Sequence, residues 1–210
     1  VSGLARDTAL SVPQAGPVIL VTRVGTAAGS KAAAAALACA ASESDMAALL
    51  VDLDGGAPPR PTPIATAGAR GMEERVAAHL PDAAVASRGR ICELRLPPER
   101  EAIETLSAAL PLSREPAAFV HLPPALLRAV LAEVGIRPTG VLLRADLSQD
   151  RALTALAARD LMSAGLRVAV LKRPLGWPAA RAALLGMHPG PGRVLPHRLC
   201  ERLLSCPSYS

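Results

Sequence analysis

Short runs that are apolar on both faces recur along this chain, each followed by a loop and a segment with helical spacing. That alternation restricts the fold more than any other feature. Val18–Thr22 (VILVT), Ala47–Asp52, Arg90–Leu96, Ala117–Leu122, Gly140–Arg144, Leu166–Leu171 and Arg193–Leu195 read as strands. Helices are expected over Ser30–Ala41, Met72–His79, Glu99–Ala109, Pro124–Val134, Ser148–Ala164, Pro178–Gly186 and His197–Leu204. Strands without polar alternation must be covered on both faces, and strands separated by helices pair in parallel through right-handed crossovers. The expected class is α/β: three layers, with a mostly parallel sheet between helices. Ligands of such sheets sit beyond the carboxyl ends of the strands, so the first two strand ends are where function is sought.

The 210 residues are 50% hydrophobic with a mean hydropathy of +0.30, which supports a core and argues against disorder. One domain is expected over residues 1–210, with 1–16 a flexible N-terminal segment. Residues 55–71 (GGAPPRPTPIATAGARG), with Pro58, Pro59, Pro61 and Pro63, read as a long Pro/Gly-rich loop or partner-binding segment. Phe119, Trp177 and Tyr209 are the only aromatic residues. The core must therefore be Ala, Leu and Val, and aromatic cages and base-stacking platforms are excluded.

The net charge of +5 and pI near 9.6 come from arginines scattered singly, so no stripe for nucleic acid is formed and nucleic acid is not an expected partner. Lys31 and Lys172 are the only lysines. Thr8–Thr22 is too short and too broken by Pro13, Gly16 and Pro17 to span a bilayer, and it lacks a basic leader, so a cytoplasmic location is expected. Cys39, Cys92, Cys200 and Cys206 show no CxxC pair and no zinc spacing and read as reduced thiols.

The loop after the first strand runs Gly25, Thr26, Ala27, Ala28, Gly29, Ser30, Lys31, Ala32, in the register of the phosphate-binding loop G-x-x-x-x-G-K-[ST]. Such a loop wraps phosphates in backbone N–H groups at a helix N-terminus, adds a lysine charge and holds Mg²⁺ on a hydroxyl. Gly25 and Lys31 match. Ser30 replaces the last glycine and Ala32 removes the hydroxyl. Ser30 also reads simply as the N-cap of an Ala-rich helix. Asp52 and Asp54, at the end of the second strand, are candidate metal or water ligands and equally ordinary loop acids. No G-x-S-x-G elbow or Cys/His signature announces a covalent nucleophile. His79, His121, His188 and His197 read as packing or surface residues, except that His121 ends a strand near the phosphate loop, where a histidine could meet an anion. Glu99, Glu101 and Glu104 open a helix, where negative charge suits the dipole.

From about Pro17 to Leu204 the order of elements resembles the MinD/ParA-type P-loop ATPases, including the CpaE/TadZ-like members associated with Tad pilus or secretion machinery. ALLVDLD resembles that family's second strand with its two acids, and PAAFVHLPP its Asp-x-Pro segment with His121 in place of the aspartate and Pro123 kept. VAVLKRP resembles its strand ending in Asn-Arg, with Lys172 at the adenine-contacting asparagine. RVLPHR resembles its late strand and turn, at Leu195 and Pro196. The resemblance implies a P-loop NTPase-like fold, ATP at Gly25–Ala32 and Lys172, Mg²⁺ near Asp52 and Asp54, and a dimer or protein partner. The departures imply a pseudo-ATPase: Thr26 replaces the signature lysine, and Ala32 and His121 remove magnesium anchors. A positioning or assembly scaffold is the leading expectation. A divergent ATP-binding switch and a DNA-partition ATPase are the alternatives. LPHRLCERLL, with Leu195, Leu199 and Leu203 beside Arg198 and Arg202, reads as a packed final helix and alternatively as a peripheral membrane contact.

Overall fold

The computed structural model describes residues 16–54, 66–81, 83–96, 101–112, 117–133, 138–146, 148, 150–172 and 194–204. The strands are β1 (Val18–Arg23), β2 (Ala48–Asp52), β3 (Ala84–Arg88), β4 (Ile91–Arg95), β5 (Ala117–His121), β6 (Gly140–Arg144) and β7 (Arg167–Leu171). The helices are α1 (Ser30–Glu43), α2 (Ala67–His79), α3 (Glu101–Leu112), α4 (Pro124–Glu133), α5 (Arg151–Ser163) and α6 (Val194–Leu204). The sheet order is β3-β4-β2-β5-β1-β6-β7, and every neighbouring pair is parallel except β3 with β4. The chain passes from β1 past β5 to β2, and later from β5 past β1 to β6, so its direction of travel across the sheet changes around β1 and β5. In open α/β sheets that switch point opens a crevice at the carboxyl edge.

Alternation along the strands divides the core in two. Val18, Leu20, Leu49, Val51, Ala118, Val120, Val141 and Leu143 pack with buried residues of α2, α3, α4 and α5. Ile19, Val21, Ala48, Leu50, Ala117, Phe119, Leu142, Ala169 and Leu171 pack with α1 and α6. This is the expected three-layer α/β sandwich. The second layer is built on alanine: Ala33, Ala34, Ala38 and Ala41 of α1 are all fully buried. Small side chains let α1 lie close to the sheet on one side and to Cys200 and Leu203 of α6 on the other.

Several sequence expectations are corrected. β3 forms the one antiparallel edge, closed by a turn at Gly89 (φ 55°); AVASR mixes small and polar residues and gives little strand signal. α2 starts at Ala67, inside the stretch read as loop, because the Thr66 hydroxyl accepts from the Ala69 N–H and caps it. Residues 55–65 lie outside the described residues. Of the expected strand Arg193–Leu195, Arg193 lies outside the described residues and Val194 and Leu195 are helical: with Pro196 they form the first turn of α6, where a proline lacks no needed hydrogen bond. Before α5 the Asp146 carboxylate accepts from Ser148 N and Oγ in a local turn, and Asp150 stands at the cap position, two residues after the expected start at Ser148. In α5 Leu161 is buried, but Leu153 is 56% and Leu156 47% exposed. The expected helix Pro178–Gly186, Trp177, His188 and Cys206 lie outside the described residues.

This packing predicts opposite outcomes for two substitutions. Ala38→Leu inserts three carbons between α1 and its neighbours and is expected to cost about 1–3 kcal/mol of unfolding free energy. Leu153→Ala should stay within about 0.5 kcal/mol of the parent. Urea unfolding measures both.

Candidate functional site

Asp52 ends β2 and His121 ends β5, and the two are directly paired in the parallel register. Each continues the alternation that sends Leu50 and Phe119 to the α1 side, so both side chains point to the same face. Gly29, left-handed at φ 91°, turns the chain immediately before α1 and delivers Ser30 and Lys31 to that point. A residue with a Cβ would be strained there.

The four side chains form one network. His121 Nδ1 lies 2.8 Å from Asp52 Oδ1, and His121 Nε2 lies 2.9 Å from Ser30 Oγ. Lys31 Nζ pairs with Asp52 Oδ2, and the Asp54 N–H donates to Asp52 Oδ1 at 3.2 Å. Asp52, Ser30 and His121 are buried, while the Lys31 side chain is 49% exposed. Burial pushes the Asp52 carboxyl upward, but the hydrogen bond from His121 and the hydrogen bond and charge of Lys31 outweigh it and hold the group below the usual carboxylate value. An ionised carboxylate only accepts, so His121 Nδ1 carries the proton that it donates to Asp52. In the neutral ring Nε2 is then the acceptor for the Ser30 hydroxyl.

Ser30 is therefore not the N-cap. Gly29 occupies that position without a side-chain bond, and the Ser30 hydroxyl goes to His121 instead. A cleft of about 130 Å³ opens beside the network, lined by Arg23, Gly29, Ser30, Lys31, Asp54, His121 and Pro123. Gly25, at φ 58°, begins the loop, and a Cβ there would collide with the Asp150 carboxylate. Asp150 Oδ2 is buried and without a hydrogen-bond partner among the described residues. The loop Gly25, Thr26, Ala27, Ala28, Gly29 thus carries a carboxylate over its first glycine. Lys172 follows β7, exposed, and is not among the residues lining the cleft. Its carbonyl, with that of Leu171, accepts from the buried Arg144 guanidinium.

The donor set does not suit Mg²⁺. Ala32 offers no oxygen, and both Asp52 oxygens are already engaged by His121 and Lys31. Among the described residues no group of three or more His, Cys, Asp or Glu side chains is arranged to hold a metal. The sequence singled out Ser30, Lys31, Asp52 and His121 separately but not the Ser–His–Asp chain, whose members lie 69 and 91 residues apart in contact pairs. The only signal was His121 at a strand end. Cys39, Cys92 and Cys200 are free, buried thiols pushed up by burial to about 12, 12 and 11, as expected of inert packing cysteines. No described helix is long and apolar enough to cross a membrane.

Comparison with known proteins adds no relative: no family model matches the chain, and no curated protein matches it.

The depressed Asp52 titration carries a stability consequence. The stabilisation is present above the unfolded carboxyl value of about 4 and is lost as pH falls from there through the lower folded value. Asp52→Asn should cost about 1–3 kcal/mol at pH 7. Urea unfolding as a function of pH should show the gap between parent and variant narrowing below pH of about 4.

Proposed function

We propose that this chain is a degenerate MinD/ParA-like P-loop protein that does not hydrolyse ATP and serves as a positioning or assembly scaffold. In this reading it docks on a protein partner or a second copy of itself, and a Tad-type pilus or secretion system is the setting that the sequence resemblance suggests. The observation that carries the reading is the pairing of Lys31 with Asp52. In an active loop the lysine charge serves the phosphates and the acid serves the metal; here each neutralises the other, and His121 and Ser30 complete the closure. The Asp150 carboxylate over Gly25 adds repulsion toward a polyphosphate.

The second reading, a divergent ATP-binding switch, draws support from the retained strand–loop–helix geometry, the left-handed Gly25 and Gly29, and the half-exposed Lys31. Isothermal titration with ATP and Mg²⁺ separates the two. The scaffold reading expects no magnesium-dependent binding by the parent chain. Tight magnesium-dependent binding that Lys31→Ala abolishes would favour the switch.

A further inference from the structure

The order Asp52 Oδ1, His121 Nδ1, His121 Nε2, Ser30 Oγ, at 2.8 and 2.9 Å, is the connectivity that converts a serine hydroxyl into a nucleophile. A carboxylate fixes the ring tautomer, the far ring nitrogen accepts the hydroxyl proton, and the serine follows a tight turn at the start of a helix. Here the turn is made by Gly29. We propose that Ser30, His121 and Asp52 form an acyl-transfer relay whose substrate is a short-chain acyl ester or thioester.

Ser30 Oγ attacks the acyl carbonyl carbon while its proton passes to His121 Nε2. The Oγ–C bond forms, and the carbonyl electron pair moves onto oxygen. The first main-chain bond within α1 runs from Ala33 N to Gly29 O, so the preceding N–H groups have no acceptor inside the helix and are the donors available to that oxyanion. Collapse breaks the bond to the leaving oxygen or sulfur, which takes the proton from His121. Water then attacks the acyl-serine with His121 as base, releasing the carboxylic acid and restoring the hydroxyl. Asp52 is a positioning residue.

The substrate class follows from the cleft beside Ser30. Its volume of about 130 Å³ suits a short acyl group; Lys31 is paired with Asp52 and Arg23 shares the cleft wall with Asp54, so the lining sets the size of the acyl group and not the charge of the leaving part. Lys31 shares the Asp52 carboxylate, so an imidazolium receives less support than from an undivided one. Acylation should therefore be easier to detect than turnover. The buried thiols of Cys39, Cys92 and Cys200 do not compete for the acyl group.

This inference goes beyond the scaffold reading and does not depend on it: calorimetry with nucleotide tests one, and covalent labelling tests the other. The full chain is incubated with a fluorophosphonate probe, and separately with acetyl-coenzyme A and p-nitrophenyl acetate, and analysed by intact and peptide mass spectrometry. One phosphonyl group per chain on Ser30 is expected, and one acetyl group from at least one of the acetyl donors. Ser30→Ala should abolish labelling, and His121→Gln should slow it by about 10²–10⁴-fold. Asp52→Asn should slow it as well, with partial rescue by Asp52→Glu, which a purely structural role would not produce. Labelling of the native chain no faster than of the urea-unfolded chain overturns the relay, as does labelling at another residue; neither outcome depends on the variants folding. Failure of both acetyl donors to acylate Ser30 overturns the short-acyl assignment.

Discussion

A carboxylate buried at the end of a central strand costs several kcal/mol unless it is met by donors, and the Asp52 carboxylate is the constraint around which this molecule is arranged. Its oxygens receive His121 from β5, Lys31 from α1 and the main chain at Asp54 from the loop after β2. Three separate segments are thereby tied to one point. Because β2 and β5 pair in register at Asp52 and His121, the donor cannot move without shifting a strand whose other residues are fully buried. The network is rigid because the sheet is.

The alanine layer serves the same end. α1 is buried over nearly its whole length, so it is held by packing between the sheet and α6 rather than by a polar outer face. Close approach sets the height of the first turn above the sheet, and with it the distance from Ser30 to His121. Leu203 of α6 continues this packing at the opposite edge, where a Cβ on Gly140 would come within 2.9 Å of its side chain.

Much of the architecture was legible because the strands are continuous apolar runs. β1, β2 and β6 carry enough Val, Leu and Ile, bounded by turns, for type and approximate limits to be read directly. β3 was not legible, since its stability comes from pairing with β4 rather than from its own residues. The start of α6 was misread because Val194 is β-branched and stands beside apolar Leu195 in a short run before a proline, and the helix reflects docking on α1. In the site, the loop register picked out Ser30 and Lys31, and strand-end position picked out Asp52 and His121. What remained hidden was which atom faces which: the Ser30 hydroxyl could cap a helix or reach across it, and only the register of β2 against β5 decides.

The same four side chains account for both functional readings. In the scaffold reading the pairing of Lys31 with Asp52 takes up the two charges that nucleotide chemistry would use, and in the relay reading His121, between Asp52 and Ser30, is the base for the serine. Both require His121 to donate from Nδ1 to Asp52. Proton NMR of the imidazole N–H region tests that requirement most directly. The account predicts one slowly exchanging His121 Nδ1–H resonance far downfield of the amides, lost in Asp52→Asn and retained in Ser30→Ala. A His121 ring that exchanges freely with solvent, or that carries its proton on Nε2 alone, would contradict it.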